Sequence, residues 1–264
     1  MEQYHAMESN KITASKINSY MNCSAQFFFQ YIEQVKAYSR SSLLVGVAFH
    51  SAEAQNDIQK IESEKDMPVE DVCDIFGTQF DEGSHETLFM KDESKGDLKD
   101  NGYSLIQCYH KVLTPTIFPK AVEAKFELKL SNTDMVFAGK MDVITKDDKI
   151  IERKTKRAKP SSVDVSHKLQ VTAYQAGYQV TYKEKPKESQ IHYAITKKVP
   201  ECISYVVDID DKDTKYLVSM INLVKESIDK GIFMPNRNSL MCNVKYCLYS
   251  ELCTAKYGGT VRGK

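Results

Sequence analysis

No stretch of these 264 residues approaches the roughly 20 consecutive apolar residues that cross a bilayer, which sets aside a helical membrane protein. The opening MEQYHAMESNK lacks a basic stretch followed by an apolar one, so no secretion signal is expected and a cytoplasmic protein is. In that compartment the seven cysteines are expected to be thiols or metal ligands rather than disulfides. No GxxxxGK[ST] phosphate loop is present, so the chain carries no nucleotide-driven motor of its own. No internal repeat is found, which sets aside solenoids, and there is no tryptophan. An excess of charge of one sign is also missing, since 36 acidic residues face 36 basic ones.

What is present is enough for a packed fold. Hydrophobic residues make up 42% of the chain and charged residues 27%. The neutral total hides an uneven distribution. Residues 51–100 hold 15 acidic and 5 basic residues, leaving 21 acidic against 31 basic elsewhere. Local fields guide binding, so a basic groove is compatible with zero net charge. The densest basic run is Arg153, Lys154, Lys156, Arg157 and Lys159; a solvated edge is its plain alternative.

Periodicity predicts helices over residues 11–37, where Thr13 or Ser15 can cap the start, and from Gly46 to about Lys65. Residues 66–100 read as acidic helical pieces and loops, and 101–119 as a further helix closed by Pro115 and Pro119. The stretch 51–119 is expected to be a helical insertion within a single domain of residues 1–264. The pattern then changes to alternation. Val122 to Leu130 reads as a strand, SNTD as a turn, MVFAGKMDVIT as a second strand, KDDK as a tight turn and IIERKTK as a third strand. A helix from Val165 to Tyr182, strands from Gln190 to Thr196 and Cys202 to Ile209, and a helix over 211–230 follow. The tail from Pro235 is cysteine-rich and ends in GGTVRGK, read as flexible. The expected fold is mixed α/β, with helices on both sides of a small mixed sheet.

The chemistry sits on the meander. Glu152 and Lys154 are two apart on one strand and so share a face. The KDDK turn folds that strand back beside Asp142. Two carboxylates held together repel unless a cation lies between them, and hard cations such as Mg²⁺ suit such a pair. A neighbouring lysine can orient water and offset charge developing on a phosphate. The bland alternative is an amphipathic hairpin whose charges face water. Against it, Asp142 and Glu152 abut apolar runs, where an unpaired charge is costly.

GKMDVITKDDKIIERKTK resembles the core of RecB-type nucleases of the PD-(D/E)XK superfamily, with its restriction-endonuclease-like α/β core. Four more segments fall in that family's order: KITASKINSYMNCSAQFFFQY, GVAFHSA, VEAKFEL and LQVTAYQAGY. The resemblance implies a metal-dependent deoxyribonuclease using Mg²⁺ or Mn²⁺. It assigns Asp142, Glu152, the backbone carbonyl of Arg153 and His50 to the metal, and Lys154 to the attacking water. It places Gln170 and Tyr174, four apart on one helix face, toward the site and the nucleic-acid strand. Arg153, Lys156, Arg157 and Lys159 are expected to track phosphates. Glu152 stands where the family more often has Asp, and Arg153 where it commonly has an aromatic or apolar residue.

The same resemblance implies exonucleolytic attack on single-stranded DNA ends in recombination, repair or CRISPR or phage DNA processing, with a partner protein from such a process. A phage-encoded chain would act in its host's cytoplasm. It further implies a 4Fe–4S cluster on Cys23, Cys242, Cys247 and Cys253. The four residues between Cys242 and Cys247, where the family usually has two, depart from that pattern, with Val244 at the expected position. A structural Zn²⁺ on the same thiols, or no metal, stays open, and Cys73, Cys108 and Cys202 are expected as buried thiols. The rival functions are a catalytically inactive nucleic-acid-binding or partner-binding module that keeps the fold, and a cysteine-held structural protein.

Overall fold

The computed structural model describes residues 11–129 and 135–263. Its strands are β1 (Lys11–Ile12), β2 (Ser39–Arg40), β3 (Thr87–Leu88), β4 (Pro119–Lys129), β5 (Val136–Thr145), β6 (Lys149–Lys156), β7 (Glu188–Ile195) and β8 (Glu201–Val206). Its α-helices are α1 (Ala14–Asn22), α2 (Ser24–Phe27), α3 (Ser41–Ser63), α4 (Val69–Ser84), α5 (Lys95–Val112), α6 (Val165–Tyr182), α7 (Asp211–Asp229) and α8 (Ser250–Tyr257). The expected SNTD turn and Leu130 lie outside the described residues. The chain divides into two compact units.

The larger unit comprises Tyr38–Phe126 and Lys140–Ile209. Its sheet runs β5, β6, β7, β8, with β4 also paired to β5. β5–β6 and β7–β8 are antiparallel, whereas β6 runs parallel to β7 and is joined to it through α6. A parallel pair needs such a crossover. One face of the sheet offers Val143, Ile151 and Ala194 to Phe49, Phe76, Phe80, Leu105 and Ile106 of α3, α4 and α5. Each fully buried side chain of this size contributes about 1.5–3 kcal/mol. On the other face Ile191, Tyr193 and Ile195 pack against Val171 of α6. Mixed α/β architecture is therefore present as expected. Residues 51–119 are acidic but not peripheral, because their buried stripe builds much of this core. At Gly177 of α6 an added Cβ would lie 2.4 Å from the ring of Phe126, so the missing side chain lets helix and strand approach closely.

The smaller unit comprises Met1–Ala37, Glu127–Gly139 and Asp210–Lys264. The helix expected over 11–37 is broken. Lys11 and Ile12 instead pair in parallel with Val136 and Phe137 of β5. Thr13 then caps α1 by accepting the Lys16 N–H. Cys23 is extended and ends α1. Its successors look outward: the Ala25 N–H donates to the Met234 carbonyl at 3.2 Å, and the Met234 N–H donates to Ser24 Oγ at 2.7 Å. A π-turn over Phe28–Ile32 follows. The tail expected to be flexible is held down, with Val261 buried and Arg262 bridged to Asn243. No helix among the described residues is long and apolar enough to cross a membrane.

Candidate active site

The β5–β6 hairpin lies in the larger unit. Thr145 Oγ1 accepts the Lys149 N–H at 2.9 Å, and the Asp148 N–H donates to the Thr145 carbonyl at 3.0 Å. Asp148 takes a left-handed φ of 64°, which aspartate tolerates in turns. The strands pair at Ile144↔Ile150 and Val143↔Ile151. Beyond this pair the cross-strand register ends, and the Arg153 N–H donates to Asp142 Oδ2 at 2.9 Å. The N–H and C=O of one strand residue leave by the same edge, so the Arg153 carbonyl also faces this opening. Glu152 and Lys154 share the face of their β7 partners Ile191 and Tyr193, the face covered by α6.

The opening is strongly charged. Glu152 is buried, its Oε1 is ion-paired with Lys154 Nζ, and its Oε2 has no hydrogen-bond partner. Burial and then the neighbouring Asp142 charge push the Glu152 carboxyl up to about 7, against the pull of Lys154. Burial acts on Asp142 in the same direction. There it is outweighed by His50, the Arg153 N–H and Lys154, which hold this carboxyl well below the usual range. His50 Nδ1 lies 3.3 Å from Asp142 Oδ2. Gln170 Nε2 donates to Tyr174 Oη at 2.6 Å. Burial, Glu152 and Asp142 together keep that tyrosine protonated. The structure thus gathers His50, Asp142, Glu152, Lys154, Gln170 and Tyr174 in one place.

With this geometry in hand, the sequence pattern of the PD-(D/E)XK nuclease superfamily matches residues 11–254. The chain belongs to the PD-(D/E)XK nuclease superfamily. A candidate exonuclease of Eubacterium rectale, known from its crystal structure, aligns over 90% of this chain and 89% of its own at 14% identity, with a TM-score of 0.61. That likeness is one of fold. The solved structure of SSO0001 aligns over 97% of this chain and 90% of its own at 16% identity, with a TM-score of 0.42. No curated protein matches in sequence.

Nucleases of this superfamily generally use divalent cations such as Mg²⁺ or Mn²⁺. The donors here fit one: a buried carboxylate oxygen without a partner stands beside a second carboxylate, a chemistry that a hard cation satisfies. Among the described residues no group of three or more His, Cys, Asp or Glu side chains is arranged to hold a metal ion. His50 is turned to Asp142, one of that carboxylate pair.

The basic run of the nuclease needs one correction. Arg153 was expected among the phosphate contacts, but its side chain is only 1% exposed and pairs with Asp57 at 2.6 Å. Alternation turns it away from Glu152 and Lys154 into the core, where no phosphate reaches it. Lys156, Arg157 and Lys159 do lie at the surface, paired with Asp164, Glu93 and Glu201. The pairs of Lys156 and Lys159 are partly exposed and worth about 1 kcal/mol or less, whereas Glu93 is nearly buried and also accepts from Ser41 Oγ and the Met90 N–H. His167 escaped the sequence reading. It stands one turn before Gln170 on α6, with Nδ1 2.9 Å from Tyr193 Oη, and burial followed by Lys154 and Lys156 lowers it to about 4. Its spacing of three from Gln170 was the available signal.

The four cysteines of the expected cluster all lie in the smaller unit. Arg237 is their shared neighbour: it donates to Cys242 Sγ at 3.9 Å and interacts electrostatically with Cys23, Cys247 and Cys253. The Asn236 N–H donates to Cys23 Sγ at 3.4 Å. Burial raises the Cys247 and Cys253 thiols. Of the other three, Cys202 is buried, while Cys73 and Cys108 are half-buried against the larger core.

Proposed function

We propose that this nuclease is a RecB-type deoxyribonuclease that cuts single-stranded DNA from its ends. The observation that carries the reading is the unpartnered, buried Glu152 Oε2 beside Asp142, at the point where the β5–β6 register ends and Lys154 reaches in. Asp142, Glu152 and the Arg153 carbonyl would hold the divalent cation, with His50 steadying Asp142. When bound, the cation would supply positive charge for the scissile phosphate and a lowered pKa for water. Lys154 is placed to orient an attacking water and to offset the charge developing on the phosphate oxygens. Tyr174, buried and kept protonated, accepts from Gln170 and closes the α6 side against Glu152. Lys156 and Lys159 exchange their partly exposed carboxylates, and Arg157 its nearly buried Glu93, for phosphates leading away from the site. A strand end in recombination, repair or foreign-DNA processing is the substrate this reading names, and the cytoplasm the place. The matched residues run through both units.

On the same reading, Cys23, Cys242, Cys247 and Cys253 hold a 4Fe–4S cluster. The support is the proximity of all four to Arg237, a cation suited to sulfurs that carry negative charge, although among the described residues no three of these thiols stand already arranged around one metal position. Iron and acid-labile sulfide assays on anaerobically purified protein decide it, and zinc in place of both would reassign the thiols. The main test uses end-labelled linear and closed circular single-stranded DNA with Mg²⁺ or Mn²⁺, beside an EDTA control. Cleavage of the linear form alone, abolished by EDTA, is expected. Equal cutting of circles would mark an endonuclease, and cleavage in EDTA would overturn the metal-dependent mechanism.

A further inference from the structure

Behind the catalytic strand lies a buried polar network that none of the chemistry above uses. Arg153 Nη2 donates to Asp57 Oδ2 at 2.6 Å, with both side chains at most 1% exposed. Arg153 Nε donates to Tyr109 Oη at 2.9 Å, and Tyr109 Oη lies 2.8 Å from His192 Nδ1. His192 Nε2 in turn lies 3.0 Å from Gln190 Oε1. The proton positions follow from this chain. Burial and then Arg153 lower the His192 pKa to about 3, so the ring is neutral and one of its nitrogens accepts. Tyr109 already accepts from Arg153, so its hydroxyl must donate to Nδ1. The Nε2–H then donates to Gln190. Arg153 is thus the source of donors at both ends, to Asp57 on one side and through Tyr109 and His192 to Gln190 on the other.

Such a pair does little for stability, because burying two charges costs about as much as their attraction returns. Its geometry does something more specific. Asp57 lies seven residues after His50 on α3, two turns along, so both look to the same side. Arg153 lies between Glu152 and Lys154 on β6 and is the cross-strand partner of His192 on β7. Its own N–H holds Asp142 Oδ2. The planar guanidinium fork has fixed directions, and here they are used by α3 and α5. We propose that the Asp57–Arg153 pair, with Tyr109 and His192, is a positioning clamp that registers the His50 helix on the catalytic strand. The inference rests on the assignment of Asp142 and Glu152 to the cation site. Asp57, Tyr109 and His192 are positioning residues that touch no substrate.

The test is the double variant Asp57→Leu/Arg153→Met, which removes both charges of the pair; buried Glu53, which also feels Arg153 and is already raised to about 8, then keeps its proton at neutral pH. Thermal midpoint, Mn²⁺ affinity by titration calorimetry, and amide hydrogen exchange over residues 46–54 and 150–156 are measured together. A midpoint near that of the parent is expected, with Mn²⁺ affinity about tenfold or more weaker, as for outer partners of metal ligands, and faster exchange in both segments. A normal midpoint with unchanged affinity and unchanged exchange would overturn the clamp. Should the double variant not fold, Tyr109→Phe keeps the ring in its edge contact with Phe49, at 5.2 Å between centroids, and deletes only the bridging hydroxyl. The same expected and overturning results then apply to it. Asp142→Ala separates the two readings. If it leaves Mn²⁺ binding intact, the cation site is misassigned, and the exchange data alone still decide for or against the clamp.

Discussion

Glu152 makes the binding of a cation pH-dependent in a defined direction. Burial and the Asp142 charge raise its carboxyl to about 7, so the metal-free protein holds a proton there at lower pH. A divalent cation needs the ionised form, and binding must release that proton. Mn²⁺ affinity should therefore fall as pH drops below about 7 and level off above it. Roughly a tenth of Glu152 is ionised at pH 6 and nine-tenths at pH 8, so affinity should change about tenfold across that interval. Titration calorimetry from pH 5.5 to 8.5, repeated in buffers of different ionisation enthalpy, gives both the affinity and the number of protons released. In Glu152→Gln the affinity at pH 8 should drop at least about tenfold, and the remaining binding should lose its dependence on pH in this range. That variant also separates Glu152 from His50, which remains in place. A flat wild-type profile, or a Gln variant that keeps the wild-type slope, would refute the reasoning.

Glu53 is buried on α3 with Oε1 unpartnered, and burial pushes it up to about 8. Its folded pKa exceeds the unfolded one, so its stabilising effect is complete below about pH 4.5 and is lost as pH rises through about 8. Glu53→Gln should thus gain on the parent by on the order of 3 kcal/mol between pH 5 and pH 7 in urea unfolding, and a constant gap would contradict this. Lys154→Ala should cut turnover by about 100-fold or more at saturating Mn²⁺ while the protein stays folded, and retained turnover would remove Lys154 from the chemistry. Gly177→Ala places a Cβ 2.4 Å from the Phe126 ring and should destabilise by about 1–3 kcal/mol, read as a lower unfolding midpoint; no change would mean that the ring moves freely.

Much of the site was legible in sequence because its logic is local. Alternation on IIERKTK put Glu152 and Lys154 on one face, and the KDDK turn returned the chain beside Asp142, as the structure has them. The helix expected from Val165 to Tyr182 has those bounds, and a spacing of four brought Gln170 to Tyr174. The helix break at Cys23 was not legible. It depends on Met234, some 210 residues away, taking over the bonds of Ser24 and Ala25. Nor was α8 anticipated, in a tail read only for its cysteines.

Arg153 marks the boundary between the two kinds of knowledge. Period-two alternation alone says that it points away from Glu152, but it does not say whether that side is water or core. A basic run naturally suggested water. Only the tertiary fold brought Asp57 from 96 residues earlier and Tyr109 from 44 residues earlier onto that side, making the charge tolerable inside. Local periodicity determines which residues share a face. What covers the face is settled by long-range packing, since a buried charge persists only where distant parts of the chain supply its partners.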